Sequence, residues 1–370
     1  MAKRAVHFSS VHIWSDTRIL VKECQTLSEA GYETHLVCAK GENPKHAGVH
    51  FHLIENYKGS KLWRMFFVTA KVYRTAMNLK GDVYQFHDTE LLPWALLMKW
   101  RGKKVLYDVH ENVPGDIMSK QYLPRFVRSA VAACAGMLQL LVAKRLSGVI
   151  CATDYIAQRF RLTCPKCIVV NNYPRLNELS GNNMVPAARE NAVIYVGDIT
   201  YSRGIIEMLD ALALLPGVVL HLAGKMSDAG IEEKLKTHKA WPQVVYHGFI
   251  DRKKFAALAS VCKAGMVTIL PVPNHIHSQP NKLFEYMSAS LPVIASDFEV
   301  WQPLVVDEGI GFCVNPGDAD AIVACINQLM TNDELVKQLG TKARKLIEEK
   351  YQWDREAEKM LRFYDEIISE

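Results

Sequence analysis

The stretch that decides the fold is HSQPNKLFEYMSASLPVIASD, residues 277–297. A polar loop leads through Pro280 into a half-apolar segment, and an uncharged run then extends to Asp297. A proline at or near the first helical position predicts a helix start, and the run PVIAS predicts a buried strand. The order of loop, helix and buried strand is typical of a parallel sheet with crossover helices.

The same alternation extends through almost the whole chain. In the N-terminal half, apolar strand-like runs such as RAVHFSSV, VYQFHD and KKVLYDVHE alternate with amphipathic stretches such as DTRILVKECQTLSEAG. In the C-terminal half the strand-like runs are VIYVGD, VVLHLAG, VVYHGF, AGMVTILP, LPVIASD and GFCVNP. The sequence therefore predicts an α/β fold with two Rossmann-like domains.

The predicted domain bounds follow from this pattern and from length. A chain of 370 residues exceeds what one hydrophobic core usually supports. The polar, non-periodic stretch 175–192 predicts a linker between an N-terminal domain (1–174) and a C-terminal domain (193–350). The long amphipathic stretch 351–370 predicts a final helix, which we expect to cross back to the N-terminal domain.

Charge and cysteine content limit the class of protein. Residues 1–175 hold 25 Lys and Arg against 13 Asp and Glu, and the remainder holds 19 against 26. Opposite charges suggest that the domains meet different partners, although ordinary surface variation gives the same pattern. Nine scattered cysteines argue against a disulfide scaffold, and we interpret the CxxC of Cys164 and Cys167 as structural.

Two features of the sequence bear on where in the cell the protein is located. The N-terminus has no long apolar run of the signal-peptide type, and no stretch of 18 uninterrupted apolar residues is present. We therefore expect a cytoplasmic protein, with possible peripheral binding to the inner face of the cell membrane.

The absence of two glycine-rich motifs limits the kinds of nucleotide site that the chain can contain. No strand is followed by GxGxxG, and the absence of GxxxxGK[ST] excludes a P-loop NTPase. Ligands of open α/β sheets bind at the carboxyl ends of strands, where two segments suit a diphosphate. One is the turn GDITYSRG (197–204) with its Arg203, and the other is the helix start that carries Lys282. Glu285 could accept hydrogen bonds from ribose hydroxyls, or it could be a solvated first-turn acid.

The combined motifs resemble a known family. The runs SQPNKLFEYMSASLPVIASD, YVGDITYSRGIIEMLDAL and VVLHLAGK are similar to the donor domain of retaining GT-B glycosyltransferases of family 4. The runs SDTRILVKECQTLSEAGYETHLV, DVYQFHDTELLPWALL and KKVLYDVHE are similar to the acceptor domain of that family. The resemblance implies two Rossmann-like domains facing each other across a cleft. It also implies sugar transfer from a nucleoside-diphosphate sugar, with UDP or GDP as the carrier.

On the donor side, the resemblance implies roles for specific residues. Glu285 matches the second acid of the family's Glu-x7-Glu pattern and would bind the ribose, whereas His277 stands where the first Glu usually contacts the sugar. Arg203 matches a diphosphate-binding cation, and Lys282 would replace a second cation that this chain lacks. The full donor-binding set that we predict is Gly197, Arg203, Gly204, Lys225, Ile250, Asn281, Lys282 and Glu285.

On the acceptor side, His87 matches a family histidine near the reacting anomeric carbon. With Glu285 and His277, it completes the predicted catalytic set. The residues that we expect to shape the acceptor pocket follow the neighbouring strands: Ser10, Asp16, Asp88, His110 and Glu111.

The reaction expected from these residues is a retaining transfer of a hexosyl or N-acetylhexosaminyl group. No paired carboxylates of the glycosidase type are visible, so we expect same-face attack while the protein stabilises the departing diphosphate. No DxD-like motif ends a suitable strand, so we expect neither a metal nor another cofactor. Two alternatives remain open: a UDP-sugar epimerase and a non-catalytic nucleotide-sugar-binding partner.

The expected acceptor is a glycan or a lipid-linked sugar, as in bacterial surface polysaccharide synthesis. Residues 58–80 hold six Lys or Arg, no acid and four aromatic residues, a composition that suits an anionic membrane surface. We expect the apolar run 129–143, in contrast, to be a core helix. No motif for nucleic-acid binding supports that rival partner.

Overall fold

The computed structural model describes residues 2–38, 48–55, 61–119, 124–176 and 189–370. The chain divides into two compact units, one formed by Met1–Asn172 with Trp353–Glu370 and the other by Tyr173–Gln352. Most of the predicted linker, residues 177–188, lies outside the described residues. Each unit contains one parallel sheet flanked by helices, which confirms the predicted α/β class.

The first unit is built on a seven-stranded sheet in the order β3-β2-β1-β4-β5-β6-β7. All of its strand pairs are parallel. The strands are β1 (Arg4–Ser9), β2 (Glu33–Cys38), β3 (Val49–Leu53), β4 (Val83–Phe86), β5 (Val105–Val109), β6 (Gly148–Cys151) and β7 (Cys167–Val169). The sequence did not predict β3, because this edge strand is mostly half-exposed and alternates histidine with apolar residues.

Helices cover this sheet and begin with a wide π-type helical segment, Thr17–Cys24, that continues into α1. The helices are α1 (Gln25–Glu29), α2 (Lys61–Asn78), α3 (Leu92–Trp100), α4 (Val113–Ser119), α5 (Arg125–Ala143) and α6 (Asp154–Arg161). Side chains of α2, α3, α5 and α6 share one hydrophobic core with the strands.

The second unit has a six-stranded parallel sheet in the order β10-β9-β8-β11-β12-β13. Its strands are β8 (Ala192–Val196), β9 (Val219–Ala223), β10 (Val244–Tyr246), β11 (Ala264–Val267), β12 (Val293–Ser296) and β13 (Gly311–Val314). Its helices are α7 (Ile205–Leu212), α8 (Ile231–Lys236), α9 (Arg252–Val261), α10 (Asn281–Ser288), α11 (Ala319–Met330) and α12 (Asp333–Glu349).

The last helix, α13 (Trp353–Ser369), packs on the sheet of the first unit. Met360, Phe363 and Ile367 lie in one buried cluster with Val83 and Leu106 of the strands. The buried indole of Trp353 donates a hydrogen bond of 2.8 Å to the hydroxyl of Thr26. The C-terminal segment of the chain therefore completes the core of its N-terminal unit.

Helix α5 differs from the expectation of a core helix. Its buried side is limited to Ala132, Gly136, Gln139, Val142 and Ala143. Its exposed side is apolar and includes Phe126, Val131, Met137, Leu138 and Leu141. Among the described residues, α5 is the one helix that is long and apolar enough to cross a membrane. Core helices of soluble proteins can have the same length and composition. The core-helix expectation thus holds for one side of α5 only, and the sequence did not show which side is exposed because the run is apolar on both sides.

The turn between β8 and α7 depends on Gly204. This residue has a left-handed backbone with φ +70°, and a Cβ on it would lie 1.9 Å from the carbonyl oxygen of Thr268. Gly217, in the turn before β9, also has a left-handed backbone with φ +90°, but a Cβ there would meet no atom within 4 Å. Both glycines have a strained backbone for a residue with a Cβ, but only Gly204 would also have a steric clash, so comparing them distinguishes the two effects.

We expect Gly204→Ala to destabilise the second unit more than Gly217→Ala does. The left-handed backbone alone costs a residue with a Cβ roughly 1–2 kcal/mol, and this cost applies to both variants. Gly204→Ala also forces the chain away from Thr268, which adds about 1–3 kcal/mol, as overpacking does. Urea unfolding of both variants measures the difference, and equal free energies of unfolding would contradict the close approach at Gly204.

Candidate active site

Two cations of the second unit lie close together at the carboxyl end of its sheet. Lys282 belongs to the first turn of α10, and Arg203 ends the short helical turn that precedes α7. The Lys282 ammonium lies 5.2 Å from the ring centroid of Tyr195, at the end of β8. Burial, followed by the positive charge of Arg203, lowers the pKa of Lys282 to about 8. Such a shift indicates two like charges that share a partly desolvated pocket.

Within the described residues, neither Arg203 nor Lys282 forms an ion pair with a carboxylate. The charges of Glu285 and Asp198, beyond ion-pair distance, partly offset the lowering of the Lys282 pKa. His275 is buried beside them, and burial together with the charge of Arg203 lowers its pKa to about 4, so its ring is neutral at physiological pH. This part of the sheet edge therefore holds two cations without direct ion pairs, which suits a bound anion.

Gly197 is required for this arrangement of the lysine. It follows β8 with φ +137°, and a Cβ on it would lie 2.4 Å from Cε and 2.5 Å from Nζ of Lys282. The missing side chain gives the lysine its path along the strand end. The position of the Lys282 side chain thus depends on a glycine at position 197, although 85 positions separate the two residues.

Glu285 lies one turn further along α10 and is half-buried. Its Oε1 accepts a hydrogen bond of 3.0 Å from the guanidinium of Arg252, at the start of α9. The carboxylate retains its second oxygen for a hydroxyl ligand such as ribose. Arg252 was not identified from the sequence, because no spacing rule connects it to Glu285.

The loop before α10 is held by its own hydrogen bonds. The Trp301 indole donates to the carbonyl of Ser278 at 2.7 Å, and the Ser278 hydroxyl donates to the carbonyl of His275 at 2.8 Å. His277 is half-buried in this loop. Pro280 is the residue directly before the helix and Asn281 is the first helical residue, in agreement with the predicted helix start.

The other predicted donor residues surround the same strand ends. Gly204 begins α7, and Lys225 follows β9 with an exposed side chain. Ile250 is half-buried beyond β10 and packs on the core that includes α10. The second unit thus brings all the predicted donor-binding positions to the carboxyl edge of one sheet.

In the first unit, the buried carboxylate of Asp108 organises the corresponding edge. Its oxygens accept hydrogen bonds from the Arg18 guanidinium at 2.6–3.2 Å, from His87 Nδ1 at 3.0 Å and from His110 Nδ1 at 3.1 Å. Burial alone would raise the pKa of Asp108, but Arg18 and the two histidines hold it well below its usual range. The carboxylate is therefore ionised.

His87 lies inside this network, with its Nδ1 on Asp108 and its Nε2 at 3.1 Å from His7 Nδ1. Its side chain is fully buried, and burial lowers its pKa, so the ring is neutral. His7 in turn contacts the hydroxyl of Tyr364 on α13 at 3.0 Å. Both nitrogens of His87 therefore contact protein groups in this structure. Direct contact of His87 with the sugar stays a prediction.

The loop that follows β1 is fixed by Asp88. Its Oδ2 accepts hydrogen bonds from the Ser9 hydroxyl at 2.8 Å and from the Ser10 amide at 2.6 Å. The Ser10 hydroxyl donates to Glu90 at 2.6 Å. Ser10 and Asp88 are both buried, so their observed role is to shape the loop.

Asp16 caps the next helical segment by accepting hydrogen bonds from the amides of Arg18 and Ile19. Its other oxygen lies 3.3 Å from His12 Nδ1. His12 Nε2 is 3.1 Å from His110 Nε2, and Glu111 is exposed beside them. Of the acceptor-side residues, Asp16, His110 and Glu111 are therefore the ones that solvent reaches.

The buried partners Arg18, Glu23 and His7 were not predicted as site residues. They occupy a helical segment and a strand interior, where charged and imidazole groups give no sequence signal distinct from surface residues. The two cysteines of the CxxC motif are both free, and Cys167 Sγ lies 3.8 Å from Cys151 Sγ.

Two family models match the chain. The model described as glycosyl transferases group 1 matches residues 183–346, and the model described as Glycosyltransferase Family 4 matches residues 17–172. Together they include most of both units.

Curated relatives are distant. An O-antigen chain mannosyltransferase C from Escherichia coli is 22% identical over 182 residues, which are 48% of this chain and 47% of that protein. A phosphatidyl-myo-inositol mannosyltransferase from Mycobacterium leprae is 26% identical over 193 residues, 48% of this chain and 47% of that protein. The matched stretch thus spans about half the length of these relatives.

Solved structures match over the whole chain. Sucrose-phosphate synthase from Thermosynechococcus elongatus has a TM-score of 0.80 at 18% identity, with 100% of both chains covered. HepE from Anabaena, solved with UDP and glucose, has a TM-score of 0.74 at 14% identity, with 98% and 100% of the two chains covered. At such identities the likeness concerns the fold. With the two family models and the two parallel sheets, it follows that the chain belongs to the GT-B glycosyltransferases of family 4, also called group 1.

Proposed function

We propose that this protein transfers a sugar from a nucleoside-diphosphate sugar to a glycan or lipid-linked acceptor, with retention of configuration. The observation that carries the proposal is the pair of cations without direct ion pairs among the described residues, Arg203 and Lys282, at the carboxyl edge of the second sheet. Departure of a nucleoside diphosphate develops negative charge on the leaving oxygens. Preorganised cations at that point stabilise the transition state and need no rearrangement.

The contacts in the second unit suggest which residues would bind each part of the donor. Arg203, Lys282 and the first amides of α10 would hold the diphosphate. Glu285, which Arg252 orients through the 3.0 Å hydrogen bond, would hold the ribose. The groups near the diphosphate already supply positive charge, so we propose that its departure requires no metal ion.

The relatives suggest which sugar and acceptor to test first. Two of them are named as mannosyltransferases, one acting in O-antigen chains and one on phosphatidyl-myo-inositol. HepE was solved with UDP-glucose. We therefore propose a hexosyl donor carried by GDP or UDP, and an acceptor of a cell-surface polysaccharide or glycolipid in bacteria.

His277 supports a second candidate, a non-catalytic nucleotide-sugar-binding protein. It stands where the family usually has an acid that contacts the sugar, and an imidazole can donate or accept only one hydrogen bond at each nitrogen. The two candidates differ in turnover. Donor binding without hydrolysis, transfer or epimerisation would favour the second candidate.

A membrane surface is the proposed location of the acceptor. Helix α2 exposes Trp63, Phe66 and Phe67, with Phe66 74% exposed, whereas Tyr73 is buried in the core. Residues 58–60 of the predicted basic segment lie outside the described residues. Helix α5 adds the exposed apolar side described above. Exposed aromatic side chains flanked by Lys and Arg are typical of proteins that bind anionic lipid surfaces from the cytoplasm.

Donor binding is tested by thermal shift with UDP-, GDP-, ADP- and dTDP-sugars. We expect a rise of several degrees with one nucleotide, because a ligand that binds only the folded state stabilises it. Glu285→Ala should abolish this rise, since the ribose contact is lost. Glu308→Ala is the matched control, because Glu308 is also ion-paired, to Lys350, in the same unit. No shift with any nucleotide, or an equal loss in both variants, would contradict the proposal.

The affinity for nucleoside diphosphate should fall as the pH rises through 8. The folded-state pKa of Lys282 is lowered to about 8, so its ammonium is present below that pH and is lost above it. One unit above a pKa leaves about a tenth of the groups protonated, so binding should weaken about tenfold between pH 7 and pH 9. Isothermal titration calorimetry with the preferred diphosphate measures this change.

Lys282→Arg keeps its charge across this pH range and is the control for the pH dependence. Its affinity should stay level, whereas Lys282→Ala should bind weakly at every pH. An unchanged affinity of the native protein between pH 7 and pH 9 would remove Lys282 from the anion pocket.

Membrane binding is tested by co-sedimentation with vesicles. The native protein should bind vesicles that contain phosphatidylglycerol more than pure phosphatidylcholine vesicles, and high salt should weaken the binding. Phe66→Ser should reduce the bound fraction severalfold. Phe249→Ser, which changes a 90% exposed aromatic residue of the other unit, should leave it unchanged. Binding that depends on neither lipid charge nor Phe66 would count against α2 as the contact.

A further inference from the structure

The imidazoles of His12 and His110 meet in the first unit through the same type of nitrogen. His12 lies in the loop after β1, and His110 follows β5. The two Nε2 atoms are 3.1 Å apart, and the ring centroids are 4.8 Å apart. Both side chains are largely buried but reach solvent, with 20% and 14% of their surface exposed.

The other nitrogen of each ring lies beside a carboxylate. His12 Nδ1 is 3.3 Å from Asp16 Oδ2, and His110 Nδ1 is 3.1 Å from Asp108 Oδ2. An ionised carboxylate only accepts hydrogen bonds, so each Nδ1 carries its proton. Burial lowers the pKa of His12, but Asp16, Asp88 and Glu111 together raise it to about 9, so without a metal ion its Nε2 donates a hydrogen bond to His110 Nε2 at 3.1 Å. The two Nε2 atoms thus face one point, where a divalent cation would take the place of this proton.

The pair His221 and His247 in the second unit shows the ordinary alternative. There Nδ1 of one ring faces Nε2 of the other at 2.9 Å, so two neutral rings form one hydrogen bond with a donor and an acceptor. The Nε2-to-Nε2 contact of His12 and His110 differs from that arrangement. It matches two metal-binding imidazoles, each oriented by a carboxylate behind it.

A third potential metal ligand and a further carboxylate lie close to the two imidazoles. One ligand atom from each of His12, His110 and Glu111 lies within 4.8 Å of the others. Asp88 Oδ1 adds a carboxylate oxygen 3.4 Å from His12 Nε2. In a tetrahedral zinc site, two nitrogens at about 2.0–2.1 Å from the metal are roughly 3.3 Å apart. The observed 3.1 Å separation is close to that value.

We propose that His12, His110 and Glu111 form a binding site for a divalent transition-metal ion of the zinc type. Asp16 and Asp108 position the two imidazoles. The site would connect the loop after β1 to the end of β5, and three protein ligands leave a fourth position for water or a substrate oxygen. It lies in the unit that does not contain Arg203 and Lys282, among the residues predicted on the acceptor side, and zinc binding there is measured without the transfer reaction.

The test is direct zinc binding by the full chain without a histidine tag, stripped with chelator beforehand. Titration of zinc chloride against a chromophoric zinc indicator should give one equivalent bound. His12→Ala and His110→Ala should each weaken binding at least tenfold, and Glu111→Ala should weaken it as well. Cobalt(II) should give visible absorption bands of a tetrahedral site, which His110→Ala removes.

His247→Ala is the matched control, because it removes one ring of the other histidine pair, and it should leave the zinc affinity unchanged. Circular dichroism and unfolding of the stripped variants separate loss of metal from loss of fold. The proposal is overturned if the native chain binds no stoichiometric zinc, or if His12→Ala and His110→Ala bind it as the native chain does. Nitrogen NMR that shows both His12 nitrogens protonated with zinc in excess would also overturn it.

Discussion

The first unit depends on the buried ion pair between Asp108 and Arg18. Asp108 is the penultimate residue of β5, Arg18 lies in the helical segment after the β1 loop, and the guanidinium also donates to the carbonyl of Val170 beyond β7. This ion pair therefore connects strand β5, the helical segment after the β1 loop and the chain that follows β7. Removing Arg18 would leave the buried charge of Asp108 without its cation, and such a loss typically costs about 3–5 kcal/mol.

The surrounding network explains why so many titratable groups lie in this core. Arg18 also lies 3.1 Å from Glu23, and burial followed by the charge of Asp108 raises the pKa of Glu23 well above its usual range. One guanidinium cannot neutralise two buried carboxylates, so the one with fewer donors takes up a proton. Asp108, with three donors, remains charged and orients His87 and His110.

The second unit uses the opposite principle. There neither Arg203 nor Lys282 forms a direct ion pair with a described carboxylate, and the lysine stem lies against Gly197 and Tyr195. The first unit satisfies its charges internally, whereas the second leaves a charge for a ligand to satisfy. This contrast is consistent with the placement of the predicted donor residues in the second unit.

The sequence by itself determined the alternation of strands and helices, because a period of two or 3.6 residues records which side of an element is buried. It also located Lys282, Arg203 and Glu285, because a strand end and a helix start are local features. The edge strand β3 carries no such clear period, and the helix α5 is apolar on both sides, so only the tertiary structure assigned the strand and showed which side of the helix is exposed. The same holds for Arg18 behind Asp108, for Arg252 beside Glu285, and for the facing nitrogens of His12 and His110. These pairs are distant in sequence, and only the packing of the sheets decides which side chains meet.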